Sequence, residues 1–303
     1  MQMKHKYIYI FLILAAVTLA GCKGGTTESE LTDSEKLELL DIKLEKSPKD
    51  AALLAERARI LINLGRSNDA IRDADMAVKL KPKEVDYRLL LADAYFTNGN
   101  ASESYKALTE AERLAPDNLE VQLKMGELTF YSRDYDRSLL CLTHVTEREP
   151  DNRTALFMKG YIYKERGDTA EAVILLRKVC DLYPDYEPAF EELGVLYANR
   201  LNPMAADYLN TALQLEPNNT NAMYALAMYH QERQEMDEAE ALYRRMLDVN
   251  SKSADAWHNL GYIELTFYHD YDRAITYFDS ALASNPSHEA AMANRQLAID
   301  SKK

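Results

Sequence analysis

The sequence has little cysteine, glycine or proline, and it carries no excess of positive charge. Its three cysteines, Cys22, Cys141 and Cys180, form no C-x-x-C pair and no metal-ligand spacing, so we expect neither a disulfide framework nor a zinc site. Ten glycines and nine prolines are few for 303 residues, which favours helices over turn-rich structure. The formal net charge of −13 repels phosphate backbones and argues against nucleic-acid binding.

Catalytic motifs are missing as well. The sequence contains no phosphate loop and no H-E-x-x-H, G-x-S-x-G or G-x-G-x-x-G motif. Its densest polar cluster surrounds His269, but Asp134–Arg137 repeats the order of Asp270–Arg273 at the same turn, which indicates a turn element. We therefore expect no enzyme, no catalytic residue, no metal and no cofactor. Cys141 and Cys180 lie on helices of successive repeated units but five positions out of register, so we expect buried free thiols rather than a disulfide.

The N-terminus has the pattern of a secretion signal. Lys4 and Lys6 precede an apolar run of 13 residues, Tyr7–Leu19, which is shorter than the 18–20 residues, roughly, of a membrane-spanning helix. The run ends in Leu-Ala-Gly-Cys22, which resembles a bacterial lipobox. This resemblance implies cleavage before Cys22 and lipid attachment to its thiol and new amino group, which together anchor a protein stably. The alternative is an ordinary signal peptide with an incidental cysteine.

These features predict a signal peptide over residues 1–21 and a flexible polar tether over residues 22–33. Without the signal peptide the formal charge becomes −15. Lys23 occupies the place where the inner-membrane retention signal of enteric bacteria has Asp, so we expect attachment to the outer membrane of a bacterial envelope. The sequence leaves open which leaflet carries the protein.

The prolines set a regular spacing along most of the chain. Five of them follow one another at intervals of 34, then one comes after 33, Ser251 takes the next place, and the last proline closes the series. In order, they are Pro48, Pro82, Pro116, Pro150, Pro184, Pro217 and Pro286. Because proline ends helices, the spacing predicts seven repeated units. The units, numbered here as repeats 1 to 7, are 51–84, 85–118, 119–152, 153–186, 187–219, 220–253 and 254–288.

Residues 254–286 carry the most complete motif. Trp257 is followed by Leu260-Gly261, then by Ala274, Phe278 and a closing Pro286. This order resembles the tetratricopeptide repeat, with its W-x2-L-G, A-x3-F and final proline in about 34 residues. The resemblance implies an all-α fold, a right-handed superhelix of helix-turn-helix repeats with a concave groove. Residues 34–50 and 289–303 are predicted as terminal capping helices, with Leu297 on the packed face of the second.

Two columns of small residues recur in all seven units. The eighth position carries Ala58, Ala92, Gly126, Gly160, Gly194, Ala227 and Gly261. The start of the second helix carries Ala70, Ser104, Ser138, Ala172, Ala205, Ala239 and Ala274. Such columns let the two helices of a unit approach closely. Gly65, Gly99 and Gly167 are predicted to form the turn between them.

The resemblance also implies a protein-binding groove along the first helix of each repeat. Its positions are the second, fifth, ninth, twelfth and thirteenth. Transferred to this sequence, the candidate groove residues are Leu89, Asp93, Phe96, Leu123, Glu127, Phe130, Tyr131, Phe157, Tyr161, Tyr224, Met228, His258 and Tyr262. Aromatic residues with acids between them suit a protein segment that is apolar or amphipathic and carries basic residues. Packing between adjacent helices is the alternative role for each of them.

Two classes of function follow from this pattern. The first is a lipid-anchored adaptor of the cell envelope, similar in layout to repeat lipoproteins of pilus secretin assembly, outer-membrane assembly or peptidoglycan-hydrolase recruitment. The second is a glycan- or cell-wall-binding lipoprotein or enzyme of a polysaccharide system. Glu127 and Asp93 are the best carboxyl pair for the second class. The sequence leaves the partner and the oligomeric state open.

Overall fold

The computed structural model describes residues 31–303, and every regular element in that part of the chain is a helix. The helices are α1 Asp33–Lys46, α2 Ala51–Asn63, α3 Ser67–Leu80, α4 Val85–Thr97, α5 Ala101–Leu114, α6 Leu119–Tyr131, α7 Tyr135–Arg148, α8 Arg153–Glu165, α9 Thr169–Leu182, α10 Glu187–Ala198, α11 Met204–Leu215, α12 Thr220–Glu232, α13 Met236–Val249, α14 Ala254–Ile263, α15 Tyr271–Ser284 and α16 Glu289–Ser301. The all-α prediction is confirmed. The predicted signal peptide, Cys22 and most of the tether lie outside the described residues.

The chain divides into two compact units, Met1–Arg133 and Asp134–Lys303, which we describe separately. Helices α1 to α6 belong to the first unit, and helices α7 to α16 belong to the second. Within residues 31–303, none of the helices combines the length and the apolar character needed to cross a bilayer.

The turns between successive repeats follow the proline spacing. In six repeats the residue that caps the end of the second helix lies directly before the proline, as Lys81 does before Pro82 and Tyr183 before Pro184, whereas Ser251 takes the place of the proline in repeat 6. At five of these turns, a side chain on the first or the second helix of the following repeat donates to the carbonyl that the turn leaves free. Arg88 and Gln122 donate to the carbonyls of Pro82 and Pro116, each at 2.8 Å. Lys178, Arg245 and Trp257 do the same at the turns of Pro150, Pro217 and Ser251.

The turn inside each repeat contains one residue with a positive φ angle. Gly65, Gly99 and Gly167 have φ of 70°, 76° and 81°, which confirms their predicted role. In the other four repeats the same place is taken by Arg133, Leu201, Gln234 and His269, with φ between 50° and 62°. This conformation is unfavourable for a residue with a Cβ atom by about 1–2 kcal/mol. In these four turns, packing of the flanking helices therefore offsets the preference of the residue for a negative φ angle.

The two columns of small residues are buried in all seven repeats. The glycines of the column lie against large side chains of the second helix. A Cβ atom built on Gly194 would lie 2.6 Å from Leu209 Cγ, and one on Gly261 would lie 2.8 Å from Phe278 Cε1. Close approach thus requires glycine at these two positions.

Cys141 and Cys180 are free and buried, as predicted, and burial raises the pKa of the Cys180 thiol to about 12.

Repeat 7 contains one more residue than the usual 34, and the structure absorbs it inside the helix. After α14 the chain forms a π-helical turn, Glu264–Tyr268, which ends at His269 in the left-handed conformation. Asp270 then caps α15 by accepting from the amide of Arg273, just as Asp134 caps α7 by accepting from Arg137. The Asp-Tyr-Asp-Arg sequence is therefore a turn element in both repeats that carry it, and His269 belongs to that turn in repeat 7.

A terminal helix covers each end of the described chain. Helix α1 begins with a capping box of Thr32 and Glu35 and buries Leu40 and Leu44. Helix α16 buries Ala291 and Ala298, whereas Leu297 is 53% exposed. The prediction that Leu297 faces the last repeat is wrong. The small Ala298 is the residue that packs there, so the adjacent Leu297 points towards solvent.

Candidate functional site

In the first unit, the predicted groove residues lie on α4 and α6. Leu89 is buried in the core, whereas Asp93 is partly exposed and accepts two hydrogen bonds from Lys124 Nζ at 2.8 and 2.9 Å. Leu89 and Asp93 line a 380 Å³ pocket together with Arg59 and Glu120. The base of this pocket is thus formed by a buried apolar residue, and its edge carries both positive and negative side chains.

Aromatic side chains extend this face of the first unit towards the end of α6. Phe96 is 43% exposed and Tyr131 is 63% exposed, and their ring centroids lie 5.7 Å apart. Phe130 meets Tyr131 edge-on at 5.4 Å, while Leu123 is half-buried on the same helix. Exposed aromatic rings of this size are typical anchors of protein interfaces.

Glu127 is the acid between these groups. It lines a small cavity with Asp93, Phe96, Lys124 and Tyr131. Burial raises the pKa of Glu127, Lys124 opposes that shift, and the Asp93 carboxylate adds to it. The two carboxyl groups that the glycan alternative requires, Glu127 and Asp93, thus both lie near Lys124, which donates two hydrogen bonds to Asp93.

In the second unit, Phe157 and Tyr161 of α8 are packed rather than free. Their ring centroids lie 6.4 Å apart, and Phe157 meets Tyr186 edge-on at 5.3 Å. Lys164 Nζ lies 4.2 Å from the Tyr161 ring centroid and 2.6 Å from Glu192 Oε2. Burial raises the pKa of Glu192, although its hydrogen bond with Lys164 opposes the shift. These two predicted residues mainly join α8 to its neighbours.

A cavity with a volume of about 760 Å³ lies in the second unit. We call it the repeat 5–7 pocket, because α10, α12, the end of α13 and the start of α14 line it. The predicted residues Tyr224 and Met228 both face it. The hydroxyl of the buried Tyr243 lies 3.2 Å from both Met228 Sδ and Gln231 Oε1, which fixes this wall of the pocket.

Several residues of this pocket were not among the predicted groove residues. Val195, Ala198 and Asn199 occupy the ninth, twelfth and thirteenth positions of repeat 5. Glu232 is the thirteenth residue of repeat 6, and Asp255 is the second of repeat 7. The positional rule that selected Tyr224 would therefore have found all five, if it had been applied to every repeat.

His258 and Tyr262 lie near the end of the second unit. Tyr262 is exposed, but His258 contacts the terminal helix: Asn294 Nδ2 donates to its Nε2 at 3.0 Å. The His258 ring also stacks on His288, with centroids 4.9 Å apart. His288 Nδ1 in turn accepts from the amide of Ala291 and so caps α16. In this structure His258 therefore serves the docking of α16.

Protonation of His258 is expected to loosen this contact. Burial, and then the nearby His288, lower the pKa of His258 below its ordinary value. The unfolded chain therefore binds this proton more readily, so the stabilising contribution is complete above the ordinary histidine pKa and is lost as the pH falls. We expect the melting temperature of the wild-type second unit to fall between about pH 7 and pH 5 more steeply than that of His258→Gln.

The variant keeps a hydrogen-bond acceptor for Asn294 but does not titrate. Thermal melting monitored by circular dichroism over this pH range checks the prediction. Burial raises the pKa of Glu192 and Glu264, so these two groups make the folded state more stable as the pH falls, opposite to His258. Because wild type and variant share this effect, the quantity to compare is the difference between their melting temperatures at each pH. Equal slopes would show that His258 does not titrate in this range.

Comparisons with known proteins agree with this geometry. A family profile described as tetratricopeptide repeat matches residues 55–118 and 123–187, and a second profile of the same description matches residues 204–261. Together these matches cover more than half of the chain. A comparison with curated proteins gives no match.

Solved structures show the same fold. A chain of the APC/C hetero-tetramer Cut9-Hcn1 has a TM-score of 0.62 at 16% identity, covering 88% of this chain and 52% of that chain, so the protein spans about half of that relative. The C-terminal part of a repeat protein from Cytophaga hutchinsonii has a TM-score of 0.62 at 15% identity, covering 79% and 98%. YrrB, described as having an unusual peptide-binding site, has a TM-score of 0.51 at 21% identity, covering 62% and 98%.

Proposed function

We propose that this chain, which belongs to the tetratricopeptide-repeat family, is a lipid-anchored scaffold of the bacterial cell envelope. The tetratricopeptide-repeat fold is typically a non-catalytic scaffold for protein–protein interaction. In the proposed role, the first helices of the repeats bind a segment of a partner protein. The anchor keeps that partner at the membrane while an envelope complex assembles, of the pilus-secretin, outer-membrane-assembly or hydrolase-recruitment kind.

The exposed aromatic pair of the first unit is the observation that carries the binding role. Phe96 and Tyr131 expose large rings on first helices, beside the Asp93–Lys124 ion pair. Burying such rings in an interface is favourable, by about 1.5–3 kcal/mol for a ring that becomes fully buried. Exposed rings next to charged groups match the composition of interface centres with polar rims.

The anchoring role rests on the N-terminal sequence, which lies outside the described residues. Its support is the charged start, the apolar run Tyr7–Leu19 and the lipobox-like ending at Cys22. The absence of Asp at Lys23 favours the outer membrane among bacterial envelope membranes. Two or more acyl chains at one site give stable attachment, which suits a scaffold that must stay at the membrane.

Cell fractionation of a Cys22→Ser variant tests the anchor. We expect wild-type protein in the membrane fraction and the variant in the soluble fraction, because a serine cannot carry the thioether-linked lipid. Mass spectrometry of the purified wild-type chain should show the mass of lipid on Cys22 and the loss of residues 1–21. Retention of Cys22→Ser in the membrane, with an unmodified wild-type N-terminus, would contradict the proposed anchor.

In the same cells, a photo-crosslinking residue at Tyr131 tests the binding face. Leu140 offers a matched control, because it is also 63% exposed but lies on a second helix. We expect the Tyr131 position to capture an envelope protein that the Leu140 position does not. Identical products at both positions would contradict binding on the first helices.

A further inference from the structure

We infer that the repeat 5–7 pocket binds a basic amphipathic segment of a partner protein. A large apolar side chain of the segment enters the pocket, and a neighbouring Lys or Arg pairs with Glu232. This inference rests on the proposed function and adds a binding site in repeats 5–7 to the exposed aromatic pair of the first unit. Three features of the second unit support it.

The first feature is the size and lining of the pocket. Its volume of about 760 Å³ lies in the range of sites that enclose a ligand. Val195, Ala225 and Met228 form partly buried apolar walls, and Tyr224 is 38% exposed beside them. Such a site accepts a large aliphatic or aromatic side chain, and the Tyr224 ring is available to cover it.

The second feature is an uncompensated negative charge. Two acids on other first helices are neutralised by lysines: Asp93 pairs with Lys124 at 2.8 Å, and Glu192 pairs with Lys164 at 2.6 Å. Glu232 is exposed at the pocket and has no ion-pair partner among the described residues. The described lining of the pocket contains a second acid, Asp255, but neither Lys nor Arg.

This charge distribution selects the class of partner. No cation of the described chain neutralises Glu232, so a cation of the partner is attracted to this carboxylate at full strength. The net charge of −13 adds a long-range attraction for basic segments. An acidic or neutral segment gains neither. Charge complementarity therefore favours a segment with Lys or Arg beside its apolar anchor.

The third feature is a set of amide side chains that suit a peptide backbone. Asn199 and Asn221 are exposed at the pocket, and their carboxamides have no hydrogen-bond partner within the part of the chain that the structure describes. A carboxamide offers both donors and an acceptor, which is the complement of a backbone peptide group. An extended protein segment uses these groups, whereas the acyl chain of a lipid does not.

Selection from a displayed library of random peptides tests the inference, with the full chain in detergent as the target. We expect the recovered peptides to be enriched in Lys or Arg next to a large apolar residue. Their affinity, measured by fluorescence anisotropy, should fall about tenfold or more in Tyr224→Ala, the range of an interface anchor. Glu232→Lys should weaken binding several-fold more than Glu238→Lys, which makes the same charge change outside the pocket. Thermal melting of each variant confirms that it is folded.

Other outcomes separate this inference from the proposed function. Peptides that lose affinity in Tyr131→Ser but not in Tyr224→Ala would overturn the pocket assignment while supporting binding on the first helices. Recovered peptides without an excess of basic residues, or equal effects of Glu232→Lys and Glu238→Lys, would overturn the partner class. Self-association of the full chain that Tyr224→Ala abolishes would show that a second copy occupies the pocket, and it would overturn the inference too. If no peptide is recovered, both the pocket assignment and peptide binding by the scaffold fail.

Discussion

Gly194→Ala should destabilise the second unit by about 1–2 kcal/mol, although alanine is the better helix former. A Cβ atom at this position would lie 2.6 Å from Leu209 Cγ, 2.8 Å from Leu209 Cδ2 and 3.1 Å from the Leu209 backbone nitrogen. Leu209 is fully buried, so its side chain has no room to withdraw. Overpacking by one methyl group costs about 1–3 kcal/mol, whereas the gain in helix propensity is only about 1 kcal/mol.

A double-mutant cycle with Leu209→Ala makes this prediction specific. Leu209→Ala alone should cost about 2–5 kcal/mol, because it leaves a cavity beside Gly194. In that background Gly194→Ala should lose most of its cost, since the new methyl group enters the cavity and the propensity gain remains, while the 3.1 Å contact with the backbone nitrogen is unchanged. Chemical denaturation followed by circular dichroism gives the four free energies. If Gly194→Ala costs as much in the Leu209→Ala background as in the wild type, its effect does not arise from contact with the Leu209 side chain.

The parts of the fold that local sterics determine were predictable from the sequence. Proline cannot continue a helix, so its spacing located the turns between repeats, and the small columns located the close contacts inside each repeat. The turn inside each repeat was predictable in place but not in detail. Arg133, Leu201 and Gln234 occupy the register of Gly99 and Gly167, yet their residue types do not indicate a positive φ. That conformation results from packing of the flanking helices.

The candidate site was less predictable, because position in a repeat does not reveal what a side chain packs against. The same positional rule selected Tyr131, which is 63% exposed, and Phe157, which lies against Tyr186. His258 was assigned to a partner, but Asn294 of α16 contacts it. Each outcome depends on a residue in another repeat or in the terminal helix, and the pattern of a single repeat contains no information about that residue.

The pocket illustrates the same limit at a larger scale. It lies where repeat 5 is one residue shorter than its neighbours, and Leu201, in the shortened turn, is among the residues that line it. The sequence showed the missing residue but not its consequence for the space between helices. A positional rule assumes equal repeats, so it is least informative at the repeat that departs from the pattern.

The ion pair between Arg57 and Asp73 is expected to matter more than any other in the first unit. Arg57 Nε and Nη2 donate to the two carboxylate oxygens of Asp73 at 2.6 and 2.8 Å, and Nη1 donates to Asp41 at 2.7 Å, so α1, α2 and α3 meet at this guanidinium. The two carboxylates differ in exposure, at 10% for the Asp73 side chain and 56% for that of Asp41. This difference provides a matched pair of variants.

Asp73→Ala should lower the free energy of unfolding of the first unit by about 3 kcal/mol, because it leaves a mostly buried guanidinium without its bidentate partner. Asp41→Ala should cost about 1 kcal/mol or less, as is usual for an exposed ion pair. Replacing both partners, as Arg57→Met with Asp73→Leu, should cost much less than Asp73→Ala alone, since no charge then remains buried. Urea denaturation of the four proteins measures these differences.

Similar losses for Asp73→Ala and Asp41→Ala would show that burial does not decide the strength of this pair. A double variant as unstable as Asp73→Ala would show that the ion pair itself, rather than the unpaired charge, accounts for the loss.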